Sequence, residues 1–563
     1  MLFNSYSFIF LFLPAICLGY LLLGRLQSRP VSLGWIVLCS ILFYGIWNPY
    51  NLAVILPSIA INYGLALLIR RSNARGEAGQ RTASTLLTLG VLFNLGFLGY
   101  FKYKNFFLDS LNLALGTQFE LVAVILPLGI SFITFQKIAF LLDVRSETVK
   151  DFDLYDFLVF VFFFPQLIAG PIVHYREMMP QFDQLNYRFS GRDVAVGLSL
   201  FAIGLFKKVV LADGVAVHVG PAFSAAEQGQ QLDFFAAWMG ALAYTFQIYF
   251  DFSGYSDMAI GLARLFGIRL PVNFNSPLKA SSIIDFWARW HITLTRFLTA
   301  YIYTPVVMAL TRRRMQAGKP VLGRGPAHPA AFLALTVFPT VLTMFVSGFW
   351  HGAGFTFLIW GLLHGVYLCI NHGWRQWRPK WDKQHYERVM KPLGFVLTLL
   401  AVVLGMVWFR ARNVGGALEM MRAMSGAGGA TLPDAIMTRL GSLADLLQHI
   451  GIHGSLSSGT EFAACSAWLL LLFLIATLAP NSLELLRHFE PALHYVPPKP
   501  PKAPKAAGAG SVDAAAPAAP AAAPARPLPA LQFTLPWALL IAAFFVLGAF
   551  GLNRVSEFLY WQF

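Results

Sequence analysis

Apolar windows recur from one end of the chain to the other. They fall at roughly 7–24, 31–47, 53–69, 84–101, 120–141, 156–173, 193–212, 234–250, 331–349, 355–371, 394–409, 463–479 and 533–552. Each is near the ~20 residues that a helix needs to cross a bilayer. In lipid every backbone polar group needs an internal partner, so only helices or a closed barrel can span it. A barrel needs alternating segments of ~10 residues, and the windows do not alternate. The pattern predicts an all-α polytopic membrane protein of about 11–13 membrane helices. Some should be re-entrant, because Gly and Pro interrupt several windows. No strand is needed to explain it.

Composition closes the other routes. Only 12% of residues are charged and 57% are hydrophobic, where a soluble domain carries about 25% charged residues. A soluble globular protein and a disordered chain are both excluded. The net charge of +15 reads as basic loops facing anionic membrane lipid, with no nucleic-acid partner. Cys17, Cys39, Cys369 and Cys465 are scattered in apolar stretches. They form no CxxC pair, so no metal site and no disulfide framework is expected.

Residues 1–10 hold no Lys or Arg, so the first window reads as a transmembrane helix and not as a leader. Arg25 and Arg29 follow it. The next connection, Asn48-Pro49-Tyr50-Asn51, is uncharged, and the one after carries Arg70, Arg71, Arg75 and Arg81. That alternation predicts an N-terminus outside, with Arg312-Arg313-Arg314 and the basic stretch 374–391 in the cytoplasm. Residues 412–462 are more polar, with amphipathic pieces such as 434–450, and should lie at an interface. Residues 497–530 form a Pro/Ala linker that can hold no core. A C-terminal transmembrane helix is expected within 531–563.

Polar residues inside apolar sequence are costly, so each is a functional candidate. The sharpest sits in Val346-Ser347-Gly348-Phe349-Trp350-His351-Gly352-Ala353-Gly354. It separates two apolar runs whose far ends are basic. The runs should form a hairpin with His351 at its turn, and the glycines would let a substrate or another backbone approach. An imidazole can take a proton from a hydroxyl at neutral pH. In 285–296, helical spacing would put Trp287 and His291 on one face and Arg289 and Arg296 on another. In 250–261, Asp257 and Arg264 could pair across two turns, whereas Asp251 has no evident sequence partner. His364 reads as a packed core histidine and His174 as a structural one beside Gly170-Pro171.

At these residues the chain resembles the membrane-bound O-acyltransferase family, in its bacterial polysaccharide branch of alginate O-acetylase-like proteins. The resemblance is carried in order by Asn94-Leu95-Gly96-Phe97-Leu98-Gly99-Tyr100-Phe101-Lys102-Tyr103, Leu126-Pro127-Leu128-Gly129-Ile130-Ser131-Phe132 and Phe164-Pro165-Gln166-Leu167-Ile168-Ala169-Gly170-Pro171. It continues through Gly204-Leu205-Phe206-Lys207-Lys208, the blocks 249–261 and 286–294, Phe349-Trp350-His351-Gly352 and Val407-Trp408-Phe409-Arg410-Ala411. It implies a catalytic core over roughly 1–480, built as a ring of helices around a central tunnel. It also implies His351 as the catalytic histidine with His291 supporting it, and Trp350, Trp287, Asp251, Asp257 and His364 as tunnel candidates. The implied reaction moves an acetyl group to hydroxyls of an exported polysaccharide or to a periplasmic SGNH-type partner, in the bacterial inner membrane. Acetyl-CoA would be the acyl donor, and no cofactor would be tightly bound. D-alanyl or longer-chain acyl transfer on the same fold is the alternative, and a non-enzymatic transporter or scaffold a further one.

Overall fold

The computed structural model describes residues 2–185, 189–323, 325–379, 381–496, 531–553 and 559. Among them, nine helices are long and apolar enough to cross a membrane, and two shorter apolar helices, Phe8–Gly24 and Leu535–Phe550, accompany them. The chain is a multi-pass, helical membrane protein. Two four-residue strands, Ala430–Pro433 and Ile452–Ser455, pair in parallel. They lie in a polar stretch between spans, where extended backbone is not excluded by lipid.

The 32-residue helix Phe234–Leu265 is a buried axis. It crosses the helix Gly191–Phe206 backbone to backbone. A Cβ on Gly204 would lie 2.5 Å from the Gly254 carbonyl oxygen, and one on Gly261 2.5 Å from that of Gly197. Spans in lipid gain nothing from hiding apolar surface, so close contact through small residues is what holds such a crossing together.

Polar side chains embedded in this core find partners on other elements. Asn62 and Asn94 exchange amide hydrogen bonds at 2.6 and 3.3 Å. Lys208 meets Asp251 at 2.6 Å and Asp213 at 2.8 Å, while Lys207 meets Asp257 at 2.8 Å. Arg264 pairs with Asp193 at 2.7 Å, so the expected Asp257–Arg264 pair is not formed. The axial helix is packed on all sides, and its charges meet neighbouring helices before they can reach along their own.

Two windows differ from a simple span, and one amphipathic stretch is split. Residues 116–129 carry no regular structure, and the helix Ile130–Arg145 starts only after Gly129, at φ 67°. Pro127 and that left-handed glycine break the helix that hydropathy alone would draw through 120–141. Window 156–173 is the helix Leu154–Phe162, a break at Phe163 and one further turn, Phe164–Leu167. Surrounding protein buries it, which is what lets a broken segment persist at this depth. The stretch 434–450 is two helices, Asp434–Leu440 and Ser442–His449, split at Gly441 with φ 55°. The Pro/Ala stretch 497–530 lies outside the described residues, and the helix expected after it is Leu535–Phe550.

Candidate active site

The helix Phe338–His351 ends on His351, and the helix Phe355–Trp377 returns along it. This is the hairpin that charge and hydropathy predict. Its arms touch at glycine: a Cβ on Gly348 would lie 2.3 Å from the Phe357 carbonyl oxygen, and one on Gly361 2.4 Å from that of Met344.

A helix end leaves its last carbonyls without intrahelical donors. Here one dipeptide takes three in a row. Lys102 Nζ donates to the Trp350 oxygen at 2.7 Å and to the His351 oxygen at 3.0 Å, and Tyr103 OH donates to the Phe349 oxygen at 2.7 Å. The Tyr103 ring stacks on Phe349, with centroids 4.2 Å apart and planes 12° apart. Lys102 and Tyr103 close the π-helical turn Gly99–Tyr103. The His351 ring is fixed edge-to-face by Trp360 at 5.1 Å and Phe409 at 5.2 Å.

His291 lies 6.4 Å from His351, ring centroid to ring centroid. The expected helical face shared by Trp287 and His291 does not exist. The helix Ile283–Trp287 stops, His291 adopts φ 44°, and the helix Ile292–Leu298 begins afresh. Asn273 explains the break. Its carbonyl accepts from Ile292 N at 2.9 Å, its Oδ1 accepts from Thr293 Oγ1 at 2.8 Å and lies 3.0 Å from His291 Nδ1, and its Nδ2 donates to Ser256 Oγ at 3.1 Å. With Oδ1 as the acceptor, His291 carries its proton on Nδ1 and presents a lone pair on Nε2. The two arginines expected on one face diverge as well: Arg289 pairs with Asp285 at 2.8 Å, and Arg296 pairs with Glu177.

Of the remaining candidates, Trp350 stacks on Phe135 at 5.2 Å. Trp287 meets Trp360 at 5.8 Å and His364 at 5.4 Å, and His364 meets Trp360 at 5.0 Å. These rings form one aromatic wall with His351. Asp251 and Asp257 are engaged by Lys208 and Lys207 in the ion set described above. His174 Nδ1 lies 3.2 Å from Tyr301 OH, which donates to Asp143 at 2.9 Å.

A cavity of about 330 Å³ opens between the 284–303 segment and the hairpin; its wall includes Trp287, Tyr303, Thr340, Thr343, Ser347 and His372. Ser347 stands one turn before His351 on the same helix face. On the hairpin its lining reaches from Leu368 and His372 on one arm to Ser347 on the other, and His291 and His351 are not part of it. A neutral imidazole in such a place has the chemistry to accept a proton from a hydroxyl.

Sequence reasoning assigned no part to Lys102, Asn273 or Ser347. Lys102 had a signal, an ionisable residue closing an apolar run. Asn273 had none, since its role depends on a turn it shares with residues further along the chain.

Two buried histidines thus meet at a helix break inside a multi-pass membrane bundle. A family model described as MBOAT, membrane-bound O-acyltransferase family, matches residues 39–317. The peptidoglycan O-acetyltransferase of Helicobacter pylori is 42% identical over 460 residues, covering 77% of this chain and 81% of that protein. The probable alginate O-acetylase of Pseudomonas aeruginosa is 40% identical, covering 75% of each chain. The teichoic acid D-alanyltransferase of Bacillus subtilis is more distant, at 25% over 51% of this chain and 69% of its own. The chain belongs to the membrane-bound O-acyltransferase family. It is an O-acyltransferase.

Proposed function

We propose that this chain moves an acetyl group from acetyl-CoA, arriving at the cytoplasmic side, to hydroxyls of an exported polysaccharide. The transfer is made directly or through a periplasmic SGNH-type acetyltransferase, and the enzyme works in the bacterial inner membrane. His351 is the general base and His291 supports it. The observation that carries the reading is the pair of buried rings 6.4 Å apart, beside a cavity that ends one helical turn from His351. Two relatives whose names specify O-acetylation of a polymer, each over about three quarters of this chain, support acetyl as the group transferred.

The acceptor hydroxyl gives its proton to the neutral imidazole as its oxygen attacks the thioester carbonyl. The tetrahedral intermediate then collapses, the C–S bond breaks, and the leaving thiolate takes the proton back. Holding donor and acceptor together supplies much of the acceleration. The resemblance to D-alanyltransferases favours a second reading, D-alanyl transfer at the same histidine.

The test uses membrane vesicles carrying the full chain, supplied with acetyl-CoA labelled in the acetyl group. Label should reach glycan or a periplasmic protein with the parent chain and not with His351→Ala. A transporter or scaffold would show no covalent label in either. Label from activated D-alanine, and not from acetyl-CoA, would select the second reading.

A further inference from the structure

Two polar atoms on the cavity wall lack a hydrogen-bond partner among the described residues: Trp287 Nε1 and Ser347 Oγ. Both side chains are buried, at 6% and 1% exposure, so the lost hydration of these groups is uncompensated within the protein. The contrast along one helix is informative. Thr343 Oγ1, also on the wall, returns its hydrogen to the Pro339 carbonyl at 2.7 Å. Ser347, one turn further toward His351, makes no such bond. An indole N–H can only donate, so what Trp287 needs is an acceptor atom brought in from outside.

We propose that Trp287 Nε1–H and Ser347 Oγ–H bind the carbonyl oxygen of the acyl thioester at the inner end of the cavity. They hold the oxyanion that forms there during transfer. As the acceptor oxygen bonds to the carbonyl carbon, the C=O π pair moves onto this oxygen. It returns when the C–S bond breaks, and the proton passes from the acceptor hydroxyl to His351 and on to the thiolate. Ser347 stands one turn before His351 on one helix face, and Trp287 shares the cavity wall with Ser347. Trp360 and His364 pack edge-to-face against Trp287 at 5.8 and 5.4 Å and fix the indole plane. Donors already in place and dehydrated stabilise developing negative charge without reorganisation.

This proposal rests on the thioester-using acyltransfer reading above, and its test separates the two. The full chain in nanodiscs is titrated with coenzyme A and with its acetyl ketone analogue, in which CH2 replaces the thioester sulfur and the carbonyl remains. The parent should bind the ketone more tightly than coenzyme A. Trp287→Phe and Ser347→Ala should each weaken the ketone by about tenfold and leave coenzyme A binding unchanged. Each should slow acetyl transfer by about 100-fold. Variants that bind the ketone as the parent does, or that lose both ligands equally, overturn the proposal. If the parent binds neither compound, coenzyme A is not the donor. The acetyl content of glycan from cells carrying each variant then decides: a large loss with protein level intact upholds the pair, and parental content rejects it.

Discussion

Lys102 Nζ donates to the main-chain oxygen of His351 at 3.0 Å, joining residues 249 positions apart in sequence. The same nitrogen donates to the Trp350 oxygen at 2.7 Å. The backbone that carries the proposed base is therefore fixed by a lysine from a distant span, at the point where its own helix runs out of donors.

Replacing Lys102 by Met keeps the apolar stem and removes the donor. Two buried carbonyls lose a hydrogen-bond donor, at about 1 kcal/mol each. If that appears as misplacement of the imidazole, acetyl transfer falls roughly 30-fold, with donor affinity little changed. Initial rates in vesicles at saturating acetyl-CoA test this, and Lys102→Arg should recover part of the loss.

Tyr103→Phe is a milder change. It removes the hydrogen bond to the Phe349 oxygen but keeps the stack on the Phe349 ring. A neutral hydrogen bond contributes about 1 kcal/mol, so a fall in transfer of roughly fivefold is expected. Tyr103→Ala, which also loses the stack, should fall further.

The hairpin and its turning histidine were legible because three local signals agree: glycines, flanking apolar runs and basic far ends. The His291 region was not. Spacing treats 285–296 as one helix, but Asn273 satisfies the backbone and side chains of 291–293 from outside and makes a break affordable. The ion pairs were not legible for a related reason. Asp257 and Arg264 share a helix face, yet buried ions need close, dehydrated partners, and Lys207 and Asp193 provide them from another helix. Hydropathy drew a span through 120–141 because it counts transfer energy and does not weigh Pro127 or Gly129.

Asn273→Leu removes the acceptor that holds His291 Nδ1 and leaves Thr293 Oγ1 without that bond. His291 is then free to change tautomer. The turnover rate should fall about tenfold or more, while the KM for acetyl-CoA stays near the parental value. Asn273→Asp keeps an acceptor at Oδ1 and should retain more activity than Leu.

Gly361→Leu should fail at the level of structure. Even the first carbon of the side chain would lie 2.4 Å from the Met344 carbonyl oxygen, so the hairpin arms must separate. The expected result is a sharp fall in detergent-extractable, monodisperse protein, read by size-exclusion chromatography. Gly64→Leu, where a Cβ meets nothing within 4 Å, is the control and should leave yield intact.

The most direct test is the acetyl content of the exported glycan in cells that carry His351→Ala as their only copy, measured by mass spectrometry beside the parent. The variant protein should reach the membrane at parental levels while acetyl esters on the glycan disappear. A glycan that keeps its full acetyl content would contradict the role of this histidine as the base.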